Sequence, residues 1–190
     1  LYQDGKSIFQ EQGEALFTHF GLSGPLVLSA SAHLGDLAKH RYEVGFDLKP
    51  ALSHEQLYAR LNRDLTALAN RDAANCLVKL LPASMQPVMV ERWGVDPAKK
   101  ANQLTKEERL ALVELMKDFR IKIRERGDLE HAVITSGGVT VKEVDPRTMA
   151  SKKCPGLYFA GEVLDVDAYT GGYNLQIAWC TAQAAARGLA

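Results

Sequence analysis

The hydrophobic pattern of the chain changes its period twice, and this change restricts the folds that the chain can adopt. Apolar and polar residues alternate over residues 41–48 and again over residues 119–124, which is typical of half-buried strands. Between these segments, apolar residues recur at helical spacing. Strands on both sides of a helical segment predict one antiparallel sheet or barrel that is interrupted by an insertion of helices.

Two capping boxes predict where helices of this insertion begin. In each box a hydroxyl residue is followed three positions later by Gln or Glu: Ser53 with Gln56, and Thr105 with Glu108. Apolar positions continue the helical pattern after each box, and several prolines separate the shorter pieces between them. We therefore expect a helical lid over about residues 51–117.

Local signals near the start of the chain predict a hairpin and a further helix. Asp4 and Gly5 stand between short extended segments, as in a two-residue hairpin turn. Pro25 follows Ser23 and Gly24 and precedes an apolar run, which is typical of a helix N-terminus. Residues 130–134 are predicted to form a strand that returns from the strand at 119–124.

Composition and charge exclude several classes of protein. The chain has 190 residues, 46% of them hydrophobic, with 23 Lys and Arg against 23 Asp and Glu. A neutral chain lacks the basic surplus that nucleic acids and anionic membranes attract, and no apolar run reaches the roughly 18 residues of a membrane helix. We expect a soluble, cytoplasmic protein without nucleic-acid or membrane partners. The three cysteines are far apart and lack metal-ligand spacing, so we predict no metal site.

The C-terminal part combines a short apolar segment, two adjacent glycines and a long helix. Residues 156–162 predict a strand that ends in Gly161 and Glu162, and Gly171 and Gly172 precede the helix. The buried face of that helix is predicted to contain Leu175, Ala178, Ala182, Ala185 and Leu189.

Glycines at a helix start let a ligand approach the backbone, and the free N–H groups favour an electronegative group. Glu162 is suited to accept hydrogen bonds from sugar-like hydroxyls. A flavin with its ribityl chain offers both features. On these residues alone, a helix start with a purely structural role stays an equal alternative.

Three segments resemble the YhiN/BaiN-like flavoproteins, which are described as predicted NAD(P)/FAD-dependent oxidoreductases and as aminoacetone oxidase-like. The segments are residues 16–25, residues 135–149 and residues 156–176, and they occur in the same order as in that family. The resemblance implies an α+β/α/β fold with two parts. Residues 1–134 would form an inserted antiparallel β-barrel-like domain with its helical lid. Residues 135–190 would be the C-terminal part of a Rossmann-like FAD-binding domain.

The same resemblance assigns the FAD-binding residues. Gly161 and Glu162 would lie against the ribityl and pyrophosphate groups. Backbone N–H groups at the helix start would face the pyrimidine edge of the flavin, from Gly171, Gly172, Tyr173 and Asn174. A loop beside the isoalloxazine ring would contain Thr135, Gly137, Gly138 and Val139.

The sequence departs from this family because it contains no G-x-G-x-x-G turn, which would hold the ADP half of FAD. We therefore expect a C-terminal fragment that by itself binds FAD weakly or not at all and is inactive. The complete protein would transfer hydride between flavin N5 and a small-molecule substrate or NAD(P)H. The alternative is a non-catalytic module that binds a ligand or a partner.

No catalytic residue is identified from the sequence. His19 is a candidate for proton transfer, although a packed, hydrogen-bonded histidine is the favoured interpretation. Tyr169 and Tyr173 are equally consistent with stacking on a ligand ring and with simple packing.

Overall fold

The computed structural model describes residues 1–128, 130, 132–134 and 136–189, and its elements mix helices with short strands. In the described residues the strands are β1 Tyr2–Gln3, β2 Lys6–Ser7, β3 Leu16–Phe17, β4 Leu22–Ser23, β5 Tyr42–Phe46 and β6 Phe119–Ile123. The α-helices are α1 Pro25–Ser31, α2 His54–Ala67, α3 Gln86–Trp93, α4 Lys106–Lys117 and α5 Tyr173–Leu189. These elements belong to two units, Leu1–Tyr42 with Ile123–Ala190, and Glu43–Lys122.

The predicted N-terminal hairpin and helix start are confirmed. β1 and β2 pair antiparallel, with Gln3 opposite Lys6. Asp4 and Gly5 form the turn between them with φ angles of 50° and 84°, as a type I′ turn requires. Farther along, β3 and β4 also pair antiparallel. α1 begins at Pro25, directly after its N-cap residue Gly24.

The helical unit Glu43–Lys122 begins and ends with the two predicted strands, β5 and β6, which are hydrogen-bonded neighbours in a sheet. Both capping boxes are present, at the starts of α2 and α4. The fully buried side chains of this unit come from α2, α3, α4 and the segment between α2 and α3: Leu57, Leu61, Cys76, Leu77, Met89, Leu112, Val113 and Met116. Burial raises the pKa of the Cys76 thiol to about 11, as expected for a core cysteine. The other two cysteines, Cys154 and Cys180, are exposed.

The C-terminal part of the other unit is built around a small apolar cluster. Val144, Met149 and Leu164 are buried, and α5 packs against them through Ala184 and Ala185. The predicted strand at 156–162 is wrong as a regular strand. Its backbone forms a single antiparallel bridge, between Tyr158 and Ala150, because this segment pairs with one short neighbouring segment. Gly161–Val163 forms a 3-10 turn instead.

A second strand prediction also fails. Residues 132–134 are not in a strand, and the remainder of the predicted strand at 130–134 includes a residue outside the described ranges.

Helix α5 starts where the sequence predicts, but its buried face is different from the predicted one. Ala178 and Ala185 are half-buried, whereas Leu175, Ala182 and Leu189 are exposed. The face that packs runs along the helix through Asn174, Ile177, Ala178, Thr181, Ala184, Ala185 and Gly188. The opposite face carries Leu175 and Trp179 in exposed positions, and Trp179 is 76% exposed. None of the helices in the described ranges combines the length and the apolar character needed to cross a bilayer.

Candidate functional site

The N-terminus of α5 presents backbone donors that the helix itself leaves unused. The carbonyl of Gly172 accepts a hydrogen bond from the Gln176 N–H at 3.0 Å, so Gly172 is the N-cap residue. A glycine N-cap has no side-chain oxygen to bind the N–H groups of the first turn. No acidic residue lies in that turn. The N–H groups of Tyr173, Asn174 and Leu175 therefore form an electropositive surface that favours an electronegative ligand atom.

The two glycines before α5 keep this surface open. Gly171 and Gly172 have φ angles of 122° and 88°, which side-chain-bearing residues rarely adopt. A Cβ added at Gly172 would meet no atom within 4 Å, so no neighbouring group fills the position of a side chain there. The backbone here is accessible to a flat ligand edge.

The side chain of Asn174 fixes the loop that leads into the helix. Its Nδ2 donates to the Ala168 carbonyl, and its Oδ1 accepts from the Ala168 N–H, both at 2.8 Å. Ala168 is thereby held against the first turn of α5. The sequence resemblance assigned Asn174 a backbone role, and the structure adds this clamp through its side chain.

Residues 136–139 of the predicted loop lie against the segment that follows Gly161. The N–H of Val139 donates to the Val163 carbonyl at 2.8 Å, and the N–H of Asp165 donates to the Val139 carbonyl at 2.9 Å. A Cβ on Gly138 would lie 2.5 Å from the Val163 oxygen, so glycine is needed there for close packing. Thr135 lies outside the described residues.

Gly161 and Glu162 lie beside the middle of α5. The N–H of Gly161 donates to Thr181 Oγ1 at 2.9 Å, so this amide is already bonded within the protein. The Glu162 side chain is exposed, and its carboxylate has no hydrogen bond or ion pair in the described part of the chain. Of these two predicted residues, Glu162 is the one that is available to a ligand.

A cluster of three rings, from Phe9, His33 and Tyr169, lies near the N-terminal end of α5. The sequence did not reveal this cluster. Tyr169 Oη and His33 Nε2 are 2.7 Å apart and share a hydrogen bond. The ring of Phe9 lies beside that of His33, with centroids 4.6 Å apart and planes tilted by 30°, and it meets Tyr169 edge-on at 6.2 Å. His33 is 136 positions from Tyr169, so no local pattern links the two residues.

His19, the histidine considered from the sequence, occupies a different setting. Its side chain is exposed and meets the ring of Phe20 edge-on, with centroids 5.0 Å apart. The favoured interpretation of a packed, hydrogen-bonded histidine is therefore wrong for His19. Tyr173 is exposed as well, and no hydrogen bond of its hydroxyl is found in the described ranges.

Together these residues can hold an electronegative ring edge at the helix start and hydroxyl groups near Glu162. Both features fit a flavin with its ribityl chain. Within the described ranges, no group of three or more His, Cys, Asp or Glu side chains converges as a metal site would.

Residues 1–134 match the family described as HI0933-like protein barrel and H2TH domain. Three curated relatives are similar over nearly the whole chain. The chain is 36% identical over 185 residues to the ribosomal RNA dihydrouridine synthase of Escherichia coli, with 96% of the chain and 43% of the relative covered. It is 34% identical over 182 residues to the protein of that name in Haemophilus influenzae, with 96% and 43% covered.

The third relative is the 3-dehydro-bile acid delta(4,6)-reductase of Clostridium scindens. The identity is 31% over 192 residues, with 98% of the chain and 46% of the relative covered. The chain thus spans less than half the length of the curated relatives that it matches. Two of the names contain ribosomal RNA, which differs from the sequence-based expectation of no nucleic-acid partner.

Proposed function

Because the chain belongs to the HI0933-like family, which is the YhiN/BaiN-like family it resembles in sequence, we propose that it is part of an FAD-dependent reductase. The observation that carries this proposal is the open, glycine-capped N-terminus of α5, which offers free N–H groups and no competing acid. The relatives are a synthase and a reductase by name, in agreement with this activity.

Each predicted site residue has a role in this proposal. The N–H groups of Tyr173 and Asn174 hold the electronegative edge of the flavin, and Gly171 and Gly172 leave it room. Glu162 accepts hydrogen bonds from ribityl hydroxyls, while Gly161 shapes the backbone. The loop with Thr135, Gly137, Gly138 and Val139 flanks the ring. When bound, a flavin supplies hydride at N5.

The names of the relatives also suggest a substrate class. Conversion of uridine to dihydrouridine and reduction of a 3-oxo-4,6-diene steroid both saturate a carbon–carbon double bond that is conjugated with a carbonyl. We include this class in the proposal. Such a bond accepts hydride at its β carbon because the carbonyl stabilises the resulting charge. NAD(P)H is the proposed source of the reducing electrons.

The visible spectrum of the full-length protein tests the proposal. We expect flavin absorption bands that bleach with NAD(P)H under anaerobic conditions and return when a substrate is added. One arm uses a uridine-containing RNA, and the other uses a conjugated steroid ketone. A full-length protein without flavin would contradict the proposal and favour the alternative of a non-catalytic binding module.

A matched pair of variants tests the helix start itself. Gly172→Asp and Gly172→Asn place side chains of the same shape at the same strained φ, but Asp adds a negative charge. If the N-terminus of α5 holds an electronegative edge, Gly172→Asp weakens FAD binding about tenfold more than Gly172→Asn, which corresponds to about 1.4 kcal/mol. Equal affinities, measured by equilibrium dialysis of the full-length variants, would show that the flavin binds elsewhere.

A further inference from the structure

The hydrogen bond between Tyr169 and His33 stands at the end of α5 where the free N–H groups are. Ala168, the residue before Tyr169, is held to Asn174 in the first turn by two hydrogen bonds of 2.8 Å. Tyr169 is therefore fixed beside the helix start. Tyr169 is 44% exposed, so it is not enclosed in the core of the protein.

His33 is placed to exchange protons with both Tyr169 and solvent. It lies in the turn after α1, where its own N–H donates to the Ala30 carbonyl at 3.1 Å. Nε2 is 2.7 Å from the Tyr169 oxygen, and the histidine side chain is exposed. Phe9 packs against both rings, which restricts their orientation. A histidine in this position can give a proton to the phenolic oxygen and regain one from water.

We infer that Tyr169 is the proton donor to the substrate carbon, with His33 as the positioning residue that returns the proton. This inference rests on the proposed reduction of a conjugated double bond. The reaction adds a hydride, with its electron pair, to the β carbon and a proton to the α carbon. The hydride comes from the reduced flavin of the proposed function.

The proton that the substrate gains comes from Tyr169 and is replaced from solvent through His33. The O–H bond of Tyr169 breaks as the C–H bond at the α carbon forms, and the negative charge moves from the substrate to the phenolic oxygen. The protonated imidazole of His33 then returns a proton from Nε2 to the phenolate, which leaves neutral histidine, and a proton from solvent restores the protonated imidazole. No other tyrosine at the helix start has this arrangement, because no partner for the Tyr173 hydroxyl is found in the described ranges.

The two half-reactions of the full-length holoenzyme separate this role from flavin binding. Tyr169→Phe keeps the ring and its contact with Phe9 but removes the proton. We expect the rate at which the reductant bleaches the flavin to be unchanged. The rate at which substrate reoxidises the flavin should fall at least about 100-fold. Tyr58→Phe, which removes a phenol in the helical unit, is the control and should leave both rates unchanged.

The role of His33 is tested by His33→Gln. The Gln amide can donate a hydrogen bond to Tyr169 but cannot transfer a proton, so we expect reoxidation to slow about tenfold and its pH profile to change. If Gln restores the full rate and pH profile, His33 has a structural role and the relay is wrong.

A readout without turnover shows whether the hydrogen bond exists in solution. In protein labelled with ¹³C at tyrosine Cζ, the Tyr169 resonance is the one that disappears in Tyr169→Phe. We expect His33→Gln to shift this resonance and leave the other tyrosines in place. Unchanged reoxidation in Tyr169→Phe would overturn the inference, whereas a wild-type protein without bound flavin would overturn the proposed function first.

Discussion

Glu108 illustrates how one side chain serves both a helix end and an ion pair. Its Oε2 accepts the Thr105 N–H at 2.7 Å in the capping box, and its Oε1 accepts Lys99 Nζ at 2.6 Å. The hydrogen bond from Lys99, followed by that from Thr105, lowers the pKa of the Glu108 carboxyl from its ordinary 4.5. A lowered pKa stabilises the folded state above pH 4.5, and this stabilisation is lost as the pH falls through the folded value.

Replacement of Glu108 by Gln distinguishes the contribution of its charge from that of its capping hydrogen bond. The amide oxygen of Gln can still accept the Thr105 N–H, so the cap remains while the ion pair is lost. We expect the free energy of unfolding to fall by about 1 kcal/mol at pH 7. The difference from wild type should shrink below pH 4.5, in urea titrations at several pH values. Glu91→Gln, at an exposed position on α3, is the control and should change the free energy of unfolding at pH 7 by less than about 0.5 kcal/mol.

At the scale of elements, Lys117 ties the end of α4 to the segment after β5. Its ammonium donates to Asp47 Oδ2 at 2.5 Å, to the Leu52 carbonyl at 2.8 Å and to the Lys49 carbonyl at 3.3 Å. The side chain is only 10% exposed. Three acceptors around one nearly buried cation hold the first turn of the insertion to its last helix.

Lys117→Met should therefore weaken the helical unit while its apolar packing is kept. We expect a loss of about 2 kcal/mol in the free energy of unfolding, because the acceptors lose a charged donor. Lys106→Met, at the exposed N-terminal end of the same helix, is the comparison and should change stability by less than about 0.5 kcal/mol. A similar loss in both variants would show that the ammonium contacts contribute nothing specific.

The loop at 136–139 allows a second matched comparison. Gly137 and Gly138 both have positive φ, 105° and 138°, but a Cβ would collide with the Val163 oxygen only at Gly138. Gly137→Ala should cost about 1 kcal/mol for backbone strain alone. Gly138→Ala should cost roughly 1–3 kcal/mol more because the backbone must move away from Val163.

Hydrogen exchange gives the local measurement for this pair. In Gly138→Ala the amides of Val139 and Asp165, which bond across the contact, should exchange faster, and in Gly137→Ala they should stay protected. Equal protection in the two variants would contradict the collision at Gly138.

These elements show that local features can be predicted from the sequence, whereas tertiary contacts cannot. The capping boxes at Ser53 and Thr105 and the hairpin at Asp4 were predicted correctly because each depends on residues within a few positions. The buried face of α5 was predicted wrongly, since Leu175 is exposed and burial depends on what packs against a helix. The contact between His33 and Tyr169 has no local signature at all, because tertiary folding alone brings the two residues together.

At the scale of the whole molecule, the two units differ in how the chain builds them. The helical unit, Glu43–Lys122, is continuous in sequence. The other unit combines Leu1–Tyr42 with Ile123–Ala190, so its contacts close long loops, and such contacts form slowly. The candidate site, including His33 and Tyr169, lies within this discontinuous unit. We therefore expect the site to form later in folding than the helical insertion.

The exposed face of α5 also gives this chain a built-in optical label. The chain has two tryptophans. Trp93 is 8% exposed in the helical unit, whereas Trp179 is 76% exposed on α5. Their fluorescence should differ in colour and in access to iodide: Trp93→Phe leaves a red-shifted, strongly quenched emission, and Trp179→Phe leaves a blue-shifted, protected one. Each unit thus contains one tryptophan. A molecule that binds to the exposed face of α5 should shift the emission maximum of Trp179 to shorter wavelength.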